Sequence, residues 1–79
     1  MTVALTRQDV RKAILDFLDG TGGEWDWDDF ISIRIEDPFL DSVRLFCANT
    51  DEGFPPVAGQ AAYCNDTGIA LMRTIAEAL

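Results

Sequence analysis

The sequence predicts a mainly α fold, a compact three-helix domain of residues 1–79 with an irregular aromatic-acidic segment packed on the helices and room for one short strand pair. Three observations carry that expectation. Apolar residues recur at helical spacing in three separate stretches, and residue types that start and stop helices flank those stretches. A chain of 79 residues has room for a single core. With 48% hydrophobic and 25% charged residues, the chain also has the composition of a folded domain and not of a disordered one.

The first helix is marked by Val10, Ala13, Ile14, Phe17 and Leu18, the stripe of a helix with one buried face. Thr6 can accept a hydrogen bond from a free first-turn N–H, Leu5 can pack on Val10, and Asp9 suits the positive helix start. Gly20 ends the helix in the left-handed conformation. Arg7, Arg11 and Lys12 fall on the solvent side as the chain's one basic cluster. The Gly20–Glu24 connection is glycine-rich, but it follows a helix and no Lys-Ser or Lys-Thr comes after it, so it is not a phosphate loop.

Trp25-Asp26-Trp27-Asp28-Asp29-Phe30 and Ile31-Ser32-Ile33-Arg34-Ile35-Glu36 follow. Apolar residues at 25, 27, 31, 33 and 35 alternate, with Asp29 and Phe30 out of phase, and predict extended chain with one face inward. Ala61-Ala62-Tyr63-Cys64 is the expected strand partner. The second helix starts at Asp37-Pro38, a good cap followed by a proline whose missing N–H costs nothing there. Its stripe is Phe39, Leu40, Val43, Phe46 and Cys47, Leu45 lies opposite, and Asn49 ends it. Residues 50–60 form a proline- and glycine-rich loop tethered by Phe54. The third helix starts near Asn65-Asp66-Thr67, with Ile69, Met72, Ile75, Ala76 and Leu79 inward and Gly68 weakening its first turn by roughly 1 kcal/mol. The expected core joins Ile14, Phe17, Val43, Phe46, Met72 and Ile75.

The formal net charge is −8, a balance that argues against nucleic acid and against anionic membrane surfaces as partners. From Asp16 to Asp41 nine acids face one base, Arg34, whereas the rest of the chain carries five of each. The whole excess therefore sits in one third of the sequence, as in a landing site for a basic protein. The expected partner-binding residues are Trp25, Asp26, Trp27, Asp28 and Asp29, because exposed tryptophans amid acids would anchor a basic surface. The plainer alternative has tryptophans facing in and acids facing out, with one tryptophan buried and one partly exposed.

Chemistry is constrained by what is missing. With no histidine, Ser-His-Asp and Cys-His catalysis are excluded, and neither an enzyme nor a cofactor is expected. The Asp26–Asp29 cluster offers oxygen ligands to a divalent metal or a small molecule, an alternative function for the chain. It does not follow the calcium-loop pattern, which needs glycine where Ile31 stands and glutamate where Asp37 stands. Cys47 and Cys64 do not make a disulfide framework, and neither a signal-peptide core nor a bilayer-length apolar run is visible. A cytoplasmic chain with reduced thiols is expected. Cys47 lies on the buried stripe and both thiols read as structural, while Cys64, just before a helix start where a thiol's pKa is lowered, is the more reactive of the two.

The Trp25–Phe30 segment, the Asp37-Pro38 helix start with Arg44 and Cys47, and Tyr63-Cys64-Asn65 together resemble a pattern in a family of small uncharacterised bacterial proteins, over residues 24–79. That resemblance implies no activity, cofactor or functional residue. The expected function is a non-enzymatic protein-binding module, an adaptor, inhibitor or immunity-type protein that presents an acidic face to a basic partner. The immunity-type reading is by analogy with proteins that shield basic nuclease toxins.

Overall fold

The computed structural model describes residues 2–23, 26–58 and 63–79. Among these the chain forms β1 (Thr2–Val3), α1 (Arg7–Asp19), α2 (Asp26–Ser32), β2 (Arg34–Ile35), α3 (Pro38–Gly53) and α4 (Asp66–Ala78), a mainly α fold with a two-stranded parallel sheet. No helix among the described residues is long and apolar enough to cross a membrane.

Local hydrogen bonds set the helix starts. The Thr6 hydroxyl accepts from the Asp9 N–H at 3.1 Å, and the Asp9 carboxylate accepts from the Thr6 N–H at 2.9 Å, closing a reciprocal cap on α1. Asp37 accepts from the N–H groups of Phe39 and Leu40, with Pro38 in the first helical position. Asn65 accepts from the Gly68 N–H at 3.0 Å. Gly20 closes α1 at φ 70°, where its N–H reaches the carbonyls of Asp16 and Phe17.

The stretch from Asp26 to Ile35 departs from the sequence expectation and adds a fourth helix to the three expected. Asp26–Ser32 is helical and not extended. Trp27, Phe30 and Ile31 stand at i, i+3 and i+4, so Phe30, the residue that broke the alternation, is the inward partner of Trp27. Only Arg34–Ile35 is extended, and its partner is Thr2–Val3, with Thr2 opposite Arg34 and Val3 opposite Ile35. Tyr63 and Cys64 belong to no strand, and Ala61 and Ala62 lie outside the described residues. A parallel pair needs a long crossover, which α1 and α2 supply.

The second helix of the sequence analysis, here α3, does not stop at Asn49 but runs to Gly53. The Asn49 side chain donates to the Leu45 carbonyl and the Thr50 hydroxyl to that of Phe46, each a helical i−4 contact. Thr50 is buried, which holds this turn in the helix. Phe39 leaves the expected stripe: it is 52% exposed, with the Arg7 guanidinium 5.3 Å over its ring. Phe54 does tether the following loop, since its carbonyl accepts from the Asn65 N–H at 2.9 Å.

One contiguous core joins all four helices. Ile14, Val43 and Met72 are buried in it, while Phe17, Phe46 and Ile75 are half-buried against it. Gly68 lies at its closest approach. A Cβ there would stand 2.9 Å from the Cys64 Sγ and the Thr50 Cγ2 and 3.0 Å from the Phe54 Cβ, so α4 meets α3 only because the side chain is absent.

Candidate functional site

The meeting of α1 with α2 is built on aromatic rings. Phe17 stacks on Trp27 with centroids 4.0 Å apart and planes 10° from parallel, and Phe30 tilts against Trp27 at 5.5 Å. Tyr63 stands edge-on to both Phe17 and Trp27. Its hydroxyl donates to the Cys47 carbonyl at 2.7 Å, which ties the ring cluster to α3. Burial, and then the charge of Asp51, push the Tyr63 hydroxyl up to about 12. The Trp27 indole N–H is buried and makes no hydrogen bond among the described residues.

A second device fixes α2 from behind. The buried Arg44 donates from Nε to Asp41 at 2.8 Å and from Nη1 to the Ile31 carbonyl at 2.7 Å. The same Asp41 oxygen accepts from the Ile35 N–H at 2.8 Å. The Arg44 guanidinium, helped by that N–H, holds the Asp41 carboxyl below its ordinary range. The end of α2 and the start of β2 are thus clamped to α3 by one ion pair.

These contacts leave a groove of about 740 Å³ between α1 and α2. Its floor is apolar, with Leu5, Ala13, Phe17, Trp27, Phe30 and Ile33. Its rim carries the carboxylates of Asp9, Asp16, Asp26 and Asp29 and the ammonium of Lys12. Asp16 pairs with Lys12 and accepts from the Thr21 hydroxyl; the Lys12 hydrogen bond lowers the Asp16 carboxyl and raises the Lys12 ammonium. Asp9 is held in the α1 cap, and Asp26 accepts from the Gly23 N–H at 2.7 Å. Asp29 has no partner among the described residues.

Of the residues the sequence singled out, Asp26, Trp27 and Asp29 come together at this groove. Asp28 is exposed away from it, and Trp25 lies outside the described residues. Trp27 is the floor of the groove, only 8% exposed, and not a projecting anchor. The groove also takes in Asp9, Lys12, Asp16 and Ile33, which the sequence does not single out as binding residues. The first three stand with Ala13 at i, i+3, i+4 and i+7 on α1, a polar stripe beside the apolar one that the sequence does display.

The acidic third is less free than its composition implies. Asp16, Asp19, Asp26, Asp37 and Asp41 each bond a group of this chain, Asp19 through Arg73 at 3.0 Å. Among the described residues no group of three or more carboxylate or thiol side chains is placed to hold a metal ion. The helix gives the reason: Asp28 and Asp29 leave it about 100° apart, while Asp26 folds back onto Gly23.

Cys47 and Cys64 are free and buried. Burial pushes the Cys47 thiol up to about 12 and raises that of Cys64 as well, against the lowered value expected for a helix start. At Cys64 burial comes first, and the charge of Asp51 adds to it. A smaller groove of about 350 Å³ between α3 and α4 is lined by Phe39, Phe46, Ile75 and Leu79 and bears no charged side chain. No family model, curated protein or solved structure matches the chain.

Proposed function

We propose that the protein is a non-enzymatic protein-binding module, an adaptor or inhibitor that receives a basic partner on the acidic side of α1 and α2. The observation that carries this is the acid-rimmed groove, where four carboxylates face one ammonium over an apolar floor. Such a surface steers a basic protein toward itself and then offers it apolar area to cover. A net charge of −8 supports a protein partner over nucleic acid. The free thiols of Cys47 and Cys64 support a cytoplasmic setting.

The test is affinity capture from the native host at low and high salt, followed by association kinetics of the captured protein. The partner should be basic, and its association rate should fall as salt screens charges beyond about 8 Å. Replacing Asp26, Asp28 and Asp29 together with asparagine should slow association several-fold. The fold should be unchanged, since a side-chain amide oxygen at position 26 can still accept from the Gly23 N–H. A partner whose association is indifferent to salt and to the triple variant refutes the proposal.

A further inference from the structure

The groove has a direction as well as a charge. It follows one face of α1 from Leu5 through Asp9, Lys12, Ala13, Asp16 and Phe17 to Gly20, at helical spacing throughout. At 1.5 Å per residue the stretch from Asp9 to Gly20 is about 16 Å long, the length of about five extended residues or three helical turns. A site of that length suits a chain segment better than a compact molecule. The opposite wall is α2, through Asp26 and Asp29, with the 41% exposed Ile33 on the floor at the turn after it.

Polar and apolar groups are separated across it. Four carboxylates against one ammonium leave three net negative charges on the rim, and Asp16 is already matched by Lys12. Asp9, Asp26 and Asp29 remain without a cation among the described residues, Asp9 near one end and the other two on the α2 wall. Between them run Leu5, Ala13, Phe17 and Ile33, partly exposed apolar side chains that a single charged group would leave in water. A purely cationic surface would satisfy the rim and waste the floor. A purely apolar one would bury uncompensated carboxylates, which costs more than the floor returns.

We propose that the groove binds a short amphipathic segment of the basic partner, with apolar side chains along the Phe17–Ile33 floor and lysine or arginine opposite Asp9, Asp26 and Asp29. This rests on the acidic-face proposal and adds to it what the partner must carry besides charge. The smaller α3–α4 groove, with no charged side chain on its lining, lacks the complementarity that names an occupant.

The experiment uses the whole ¹⁵N-labelled chain and three short synthetic peptides of equal length. One alternates lysine with leucine at helical spacing, one carries the same lysines with serine and glycine, and one replaces the lysines of the first with glutamate. At low salt the lysine–leucine peptide should bind at least about tenfold tighter than the lysine–serine peptide, because burying one large apolar side chain is worth that much. Its shifts should concentrate on the amides of α1, α2 and Ile33. The glutamate peptide should bind more weakly than either. Ile33→Asn, at an exposed floor position, should remove most of the tenfold advantage and leave the lysine–serine peptide unaffected.

Equal affinity for the two lysine peptides overturns the amphipathic segment and leaves the acidic face standing. Equal affinity for the lysine–leucine and glutamate–leucine peptides removes the role of charge, and both proposals with it. Shifts mapping to α3 and α4, or no shifts at all, overturn the groove as the docking site, while the salt test on the captured partner still judges the acidic face.

Discussion

Two of the helix seams of this domain are built by opposite means. Where the start of α4 meets α3, the facing residues are small: Thr50, Gly68 and Cys64 lie together, all buried, and the buried Met72 follows one turn on. Small side chains let helices approach until a single added carbon has no place. Where α1 meets α2, rings do the spacing, and the seven-residue α2 is too short to cover the rest of α1. Bulky spacers and a short partner leave a groove. One seam is closed around Gly68, and the other is where a surface remains to be covered.

The largest effect should come from the closed seam. Met72→Ala should cost about 2–5 kcal/mol, out of roughly 4–12 kcal/mol available to a domain of this size. Ile33→Ala at the open seam should cost under about 1 kcal/mol. Urea midpoints compare the two, and equal losses would erase the distinction. Gly68→Ala sharpens it. The added carbon should destabilise by about 1–3 kcal/mol through overpacking, reduced by the roughly 1 kcal/mol alanine gains in a helix. Gly53→Ala, with open space around it, should show only that helical gain or less.

The Asp41–Arg44 clamp should respond to acid. Asp41 is held below its unfolded pKa of about 3.9, first by the Arg44 hydrogen bond and then by the Ile35 N–H. A depressed carboxyl stabilises the fold fully above the unfolded value and loses that contribution as pH falls through the folded one. Urea stability measured from neutral pH downward should therefore drop in that acid window. Asp41→Asn should be less stable at neutral pH and show a shallower drop. Parallel acid limbs in the two proteins would mean the clamp does not hold α2 to α3.

The smallest effect is kinetic and concerns the thiols. With its pKa pushed up to about 12, Cys47 holds almost no thiolate near pH 8, and burial shields both sulfurs. Alkylation of the native protein should be at least about tenfold slower than that of a free thiol, whose pKa is near 8.5, with Cys64 the faster of the two. Labelling of Cys64 at the free-thiol rate would show that the closed seam opens readily at the start of α4.

Much of this was legible in the chain. The caps at Thr6, Asp37 and Asn65, the stop at Gly20 and the inward faces around Ile14, Val43 and Met72 are where the spacing puts them. The misread stretch is instructive because its pattern fits two periods. Trp27, Ile31, Ile33 and Ile35 alternate as in a strand, yet Trp27, Phe30 and Ile31 also mark a helical face, and seven residues are too few to decide between them. Phe39 shares a face with Val43 and Phe46 by spacing, but in the first turn of α3 it stays exposed at the small α3–α4 groove, under the Arg7 guanidinium. The lowered pKa expected of Cys64 gives way to a raised one because its helix position is local, whereas its burial and the nearby charge of Asp51 come from the packing of α3 against the start of α4.

What the sequence alone determined is whatever forms within about four residues: helix starts, the left-handed stop at Gly20, the amphipathic faces, and the crowding of acids between Asp16 and Asp41. Tertiary structure decided which of those acids are committed to partners within the chain and which stand at the rim of a groove. It also decided that Trp27 is a floor and not an anchor, and that Thr2–Val3 pairs with Arg34–Ile35. The physical reason is distance along the chain. A cap closes on its own turn, whereas the groove exists only once Leu5, Asp16, Asp29 and Ile33 are brought side by side by ring stacking and the Arg44 clamp.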